Sequence, residues 1–318
     1  VLLASFFLID WKNYSALLIS ILFSQIILFS ILFRGKFELV KPDFSYFKVV
    51  FIFYFIQLFN FFLFHYSKVI QGDLIDNRAV ALLSIALVIG QSINMISMNF
   101  ANVLLPVFSQ ASLKNDIESI KNNFMKMTKV NSYLSLPLLI FIYYFATDIL
   151  LLLGPDYAEG NIILILIVFG NFFGSFVGPN GTLLLMTGNE KIELYNGFFK
   201  LFFGLIIIYF FGNQLWGVAL GLMFSEIFVN ILKGIEVFIL YKVFPYTKKI
   251  FFYIITIFIV EFIFLGLIYN LSFSQNTKII IGLIFILISY LITFKLSPFR
   301  DDREILSNYL NKINGKSN

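Results

Sequence analysis

Hydrophobic runs long enough to cross a bilayer alternate along this chain with connections of unequal charge, and that pattern leaves very few folds open. The runs cover residues 14–33, 49–66, 79–108, 130–153, 161–187, 194–211, 215–241, 250–270 and 279–296. A hydrocarbon core of about 30 Å needs about 20 residues at the helical rise. Lipid supplies no partner for a backbone N–H or C=O, so each run must close its hydrogen bonds within itself, as a helix. A membrane barrel would show alternating segments of about ten residues instead, and the chain has none. Composition agrees: 13% of residues are charged, against about 25% in a soluble domain. The expected fold is therefore all-α, a polytopic transmembrane helix bundle with nine complete spans.

The connections fix an expected orientation. Seventeen of the 23 Lys and Arg residues fall in every second connection or in the tail, beginning with Arg34–Lys48 and ending with Lys295–Lys316. The opposite set holds Lys12, Lys68, Arg78 and Lys278, while Lys200 and Lys233 lie inside runs. Cytoplasmic loops of membrane proteins are enriched in Lys and Arg, so the basic side and the C-terminus are expected in the cytoplasm. The net charge of +5 then reports loops facing anionic headgroups rather than nucleic acid. With no Cys in the chain, disulfide and thiolate chemistry are excluded.

The chain opens on Val1, within an apolar stretch that ends at Ile9 and is too short to span. The expectation is the tail of a truncated first helix. Arg34–Lys48, basic and containing Pro42, is the candidate linker between two halves. In Ser109–Lys129 the residues Ile117, Ile120, Phe124 and Met127 form a helical stripe, which suggests an amphipathic helix on the membrane surface. Ile305, Leu306, Tyr309, Leu310 and Ile313 in the tail behave similarly. Connections on the other side are short, the longest being about Ser67–Arg78, and leave no room for a catalytic domain. Run 161–187 carries Gly170, Gly174, Gly178, Pro179 and Gly181. Small residues allow close helix packing, and Gly and Pro also mark the interrupted helices of transporter sites. Pro137 suggests a kink.

Ionisable residues deep in a span cost about 2.5–3.5 kcal/mol each on insertion scales, so they point toward function. Glu226, Asn230 and Lys233 share one helical face. Glu226 and Lys233 are two turns apart, about 10 Å along the axis, too far to pair directly; Glu236 is closer to Lys233. The face reads either as a polar cavity wall with a protonatable carboxylate or as an ion network that locks helices together. Ser84, Gln91, Asn94 and Asn102 fall within about 80° of arc, and their amides suit sugar hydroxyls or interhelical contacts. Lys200 can meet an anionic group or extend to the membrane edge. Glu261 lies mid-span, and His65, the only histidine, reads as a packing residue. No metal cluster, nucleophile–base set or phosphate-cradling loop is present, so neither a cofactor nor an enzyme activity is expected.

Four stretches carry a family resemblance: Val103–Ser109 (VLLPVFS), Ile149–Ala158 (ILLLLGPDYA), Gly178–Lys191 (GPNGTLLLMTGNEK) and Leu215–Glu226 (LWGVALGLMFSE). In order and spacing they resemble the polysaccharide exporters, the lipid-linked oligosaccharide flippases of the MATE-like superfamily. The resemblance implies 12 or 14 helices in two pseudo-symmetric lobes around a cavity that opens alternately to either side. It divides the chain into the end of an N-terminal lobe (1–33), an inter-lobe linker (34–48), a six-helix C-terminal lobe (49–241), two additional helices (242–296) and a tail (297–318). The acidic or amide residue that the family often has near the outer end of its seventh helix corresponds here to His65. The implied function is transfer of an undecaprenyl-pyrophosphate-linked oligosaccharide across the bacterial inner membrane for O-antigen or other surface polysaccharide. Implied partners are the lipid-linked oligosaccharide, membrane lipids, a polysaccharide polymerase and a chain-length regulator. Lys200 and Lys233 are expected toward the anionic groups, Gln91, Asn94, Asn102 and Asn230 toward the glycan, and Glu226 as a proton carrier or partner of Lys233. A cation-driven multidrug exporter and an integral-membrane polymerase are the alternative readings.

Overall fold

The computed structural model describes residues 45–303. The expected helix end at Val1–Ile9, the run 14–33, most of the basic linker and the stripe in the tail lie outside the described residues. The chain divides into two compact units, Val1–Phe47 and Lys48–Asn318, and the description below concerns the second.

Among the described residues nine α-helices follow one another: α1 (Ser45–Leu74), α2 (Asn77–Leu113), α3 (Ile117–Leu151), α4 (Asn161–Val177), α5 (Asn180–Met186), α6 (Glu190–Phe211), α7 (Gly217–Tyr241), α8 (Lys248–Tyr269) and α9 (Gln275–Leu296). A 3-10 turn, Pro155–Gly160, leads into α4. Eight of these segments are long and apolar enough to cross a membrane, matching the eight described runs; α5 is too short.

Short polar residues start the helices where the chain reverses. Asp76 accepts from the Ala79 amide at 2.7 Å and Asp116 from the Ser119 amide at 2.9 Å. Thr247 and Ser274 cap α8 and α9 in the same way. Each supplies an acceptor to an amide that has no partner in the first turn.

Two boundaries differ from expectation. The connection read at Ser67–Arg78 is mostly helix, because α1 continues to Leu74 and only residues 75 and 76 separate it from α2. Ser109–Lys129 is not a separate helix on the membrane surface. Residues to Leu113 finish α2, Asn115 turns the chain at φ 53°, and Ile117 begins a 35-residue α3. At 1.5 Å per residue α3 is about 52 Å long, well beyond the hydrocarbon thickness. It is longer than a span requires, and two residues of the stripe face protein while Ile117 stays half-exposed. Ile120 and Phe124 are buried with Phe108, Leu183 and Val237, joining the ends of α2, α5 and α7.

Helix α3 is also the axis of the main core. Tyr133, Phe145 and Leu150 pack with Leu82, Ile163 and Leu164 of α2 and α4. On its far side α8 and α9 lean against it: Gly266 admits the Tyr144 ring, Gly282 admits Phe141, and Tyr290 donates to the Leu134 carbonyl at 2.7 Å. Glu261, mid-span in α8, is buried and takes a hydrogen bond from Ser289 of α9. The polar run Thr128, Ser132 and Ser135 returns its hydroxyls to carbonyls four residues earlier, so α3 passes Pro137 without leaving those hydroxyls unpaired.

Helix α4 ends at Gly178, whose φ of 102° no side chain adopts easily. A Cβ there would also collide with Thr128 Oγ1. Pro179 follows and α5 starts afresh. The interruption expected from the Gly and Pro residues is thus a real helix break at one end of the span. Earlier in α4, Gly170 lies against the Met223 backbone and Gly174 against Asn230, which brings α4 and α7 together over two turns.

Candidate functional site

Helices α6 and α7 run antiparallel, and their charged residues are complementary. On α6, Glu193, Asn196 and Lys200 recur at intervals of three and four. On α7, Glu226, Asn230 and Lys233 recur at intervals of four and three. Each acid lies seven residues from its lysine, with the order reversed in space. Lys200 consequently meets Glu226, and Lys233 meets Glu193 at 2.5 Å. Glycines allow the approach: Gly204 sits against Ser225, and Gly221 against Ile208 and the Gly204 carbonyl.

The Lys200–Glu226 pair forms part of the wall of a cavity of about 470 Å³ bounded by α1, α2, α4, α6 and α7. Five amide side chains join it there: Gln57, Asn60, Gln91, Asn94 and Asn171. Asn60 donates to its own helix at the Ile56 carbonyl, 3.1 Å, which turns its Oδ1 toward Lys200 Nζ at 3.1 Å. The ammonium is thereby shared between an amide on α1 and a carboxylate on α7. Asn171 donates to the Gly90 carbonyl at 2.9 Å, where the missing side chain of Gly90 lets α2 and α4 close up. The His65 ring lies 4.3 Å from that of Phe61 and also lines the cavity. Lys200 and Glu226 are its charged side chains among the described residues, so the wall carries both signs and no net excess.

The residues singled out from the sequence divide into three groups. Lys200, Glu226, Gln91 and Asn94 come together in the cavity. Lys233 and Asn230 do not line it. Lys233 belongs to a second cluster nearer the basic end, where Glu193 is buried and Asn196 donates to Glu236 at 2.6 Å. Gly181, at the start of α5, lies 3.0 Å from Glu193 Oε1 and 3.2 Å from Lys233 Nζ, measured from where its Cβ would stand. Asn230 donates to the Glu226 carbonyl at 2.9 Å. Asn102 is exposed, two turns beyond Asn94 toward the end of α2.

Sequence reasoning missed Gln57, Asn60, Glu193, Asn196 and Asn171. The matched seven-residue Glu-to-Lys spacings, in the same order along two consecutive and hence antiparallel spans, were the available signal for the α6 partners. Among the described residues no group of three or more His, Cys, Asp or Glu side chains is disposed to hold a metal ion. The chemistry available is that of a binding surface: donors and acceptors for hydroxyl groups, with one fixed positive and one fixed negative charge.

This bundle, with its interrupted α4–α5 span and a polar cavity against α6 and α7, is a transporter fold of the MurJ and MATE type. A solved structure titled "Lipid II flippase MurJ, inward closed conformation" superimposes with a TM-score of 0.68, at 16% identity over 92% of this chain. A structure titled "Crystal structure of MATE in the straight conformation" gives a TM-score of 0.51, also at 16% identity, over 72% of the chain. The chain spans 64% of the length of the first and 55% of the second. Residues 6–160 match the family model described as "Polysaccharide biosynthesis protein". No curated protein sequence matches the chain. The resemblance to the polysaccharide exporters of the MATE-like superfamily, drawn above from four short motifs, is supported by both the family model and the fold.

Proposed function

We propose that the protein is a flippase that moves a lipid-linked oligosaccharide across the bacterial cytoplasmic membrane, the undecaprenyl-pyrophosphate carrier of O-antigen or another surface polysaccharide. The observation that carries this reading is the cavity of five amides around the Lys200–Glu226 pair. A glycan crossing a hydrocarbon layer needs replacements for its water hydrogen bonds. Asn and Gln side chains supply both donors and acceptors without adding net charge. Lys200, shared between two acceptors, is placed to turn toward a phosphate oxygen of the carrier. Alternating exposure of this cavity to the two sides would carry the glycan across, as in other transporters built from repeats, with the basic loops and the C-terminus in the cytoplasm.

The charge balance of the wall argues against the alternative of a cation-driven drug exporter. A site for organic cations benefits from an unpaired carboxylate, and Glu226 is already matched by Lys200. The polymerase reading draws no support from the cavity, which holds amides and one ion pair rather than a nucleophile with its base.

Complementation of a strain lacking surface polysaccharide tests the assignment. Neutralising the pair with K200M and E226Q together is expected to abolish glycan display at normal protein level. Full display by that double variant, or dye sensitivity in the null strain without any change in surface glycan, would overturn the reading.

A further inference from the structure

A second cavity, of about 440 Å³, lies away from the first, between α4 and α7 toward the basic end of the bundle. Phe173, Val177, Ile235 and Phe238 form its walls, and the connection between α7 and α8 closes over it with Phe244 and Tyr246. Tyr246 holds that connection down by stacking on Phe176 and bonding to the Phe176 carbonyl and Ser132. Burial pushes the Tyr246 phenol up, so it stays protonated as a donor. Ile235, Phe238 and Phe244 are about half-exposed, which opens the groove sideways to lipid.

Two polar features distinguish this groove from ordinary lipid-facing surface. Asn180, 1% exposed, lies along it; its amide nitrogen donates to the Val177 carbonyl, and its carbonyl oxygen has no donor among the described residues. A buried acceptor of this kind is one that an ordered water or a ligand hydroxyl satisfies. At the rim, Lys242 ends α7 in the left-handed region at φ 51°, where glycine is favoured. Its ammonium lies 5.8 Å from the centroid of the Phe238 ring, over the groove wall. Glycine would make the turn with less strain, but only lysine puts a positive charge at this opening.

We propose that this groove binds one anionic phospholipid from the leaflet at the basic end. An acyl chain occupies the space between Val177, Ile235 and Phe238, Lys242 takes the phosphate, and Asn180 accepts from a headgroup hydroxyl. Basic pockets between helices are established positions for anionic headgroups. This site is separate from the cavity assigned above to the transported molecule and does not depend on that assignment.

Native mass spectrometry of the full chain in micelles doped with phosphatidylglycerol, phosphatidylethanolamine or phosphatidylcholine tests the proposal. The chain is expected to retain one lipid in the order phosphatidylglycerol, phosphatidylethanolamine, phosphatidylcholine, with about a fivefold step for the single charge on Lys242. K242Q should remove the first step and N180L the second. I235W, at an exposed position, should block retention while leaving helix content and the melting midpoint unchanged. Equal retention of all three lipids, or undiminished retention by I235W, overturns the proposal. So does displacement of the phospholipid by a polyprenyl phosphate that I235W also excludes, since the groove would then belong to the transported lipid. Should I235W prove unstable, the K242Q and N180L steps decide alone: both lost supports the site, neither lost overturns it.

Discussion

A lysine and a glutamate that share a membrane cavity constrain each other more than either constrains its own helix. Removing one partner of this partly buried pair, 17% and 29% exposed, leaves a charge without its counter-ion and costs less than the about 3–5 kcal/mol of a fully buried pair. E226A is accordingly expected to lower the melting midpoint of the purified protein. K200M/E226Q should recover most of that loss while remaining inactive in glycan display, because it removes both charges together. Thermal melting beside complementation separates the two effects. At Gly178 the constraint is conformational. G178A places a side chain at positive φ against Thr128, and a loss of about 1–3 kcal/mol is expected, measurable by chemical denaturation in detergent. The sequence made Lys200, Glu226 and Lys233 conspicuous because insertion of a charge is costly. It did not reveal their partners, since spacing along one helix says nothing about which residue a neighbouring helix presents. Asn60 and Glu193 were invisible for that reason.

Between elements, reversed order of charge is what aligns α6 with α7. Two ion pairs separated by two turns fit one antiparallel register, and sliding either helix by a turn breaks both. The swapped variant K200E/E226K should therefore fold and melt close to the wild type, whereas K200E alone sets two carboxylates together and should not accumulate; membrane-fraction levels provide the readout. The contact of α4 with α7 rests on Gly170, where a Cβ would stand 2.9 Å from the Met223 Cα. Backbone cannot yield as a side chain does, so G170A is expected to destabilise by about 1–3 kcal/mol, seen as a lower melting midpoint. Helix existence was legible throughout, because a long apolar run in lipid has only one way to satisfy its backbone. The base of α3 was misplaced because a stripe of apolar residues looks the same whether it faces lipid or protein. Only the arrival of Phe108, Leu183 and Val237 decides between them, and those residues come from three other segments.

In the molecule as a whole, α8 and α9 are tied to the rest at both ends. Beyond α9, Asp302 is fully buried against Lys129 at 2.6 Å and Ser297, while Lys129 and Lys249 both lie over the Phe299 ring. At the other end Gln275 donates to the Asp148 carbonyl at 2.7 Å. D302A is expected to cost about 3–5 kcal/mol by stranding Lys129, and limited proteolysis should then cut the segment after α9 first. None of this was visible in the sequence, where Lys129 counted only as one more basic-loop charge. The hydrophobic runs nonetheless marked the existence of eight spans among the described residues. The Lys200–Glu226 pair bears on energetics at this scale as well. Transfer of one elementary charge through 100 mV is worth about 2.3 kcal/mol, whereas a wall that carries its own counter-ion crosses the field as a neutral object. The membrane potential therefore does no work on these two groups while they move together, and under the proposed function a voltage dependence of glycan display would have to come from charges other than this pair.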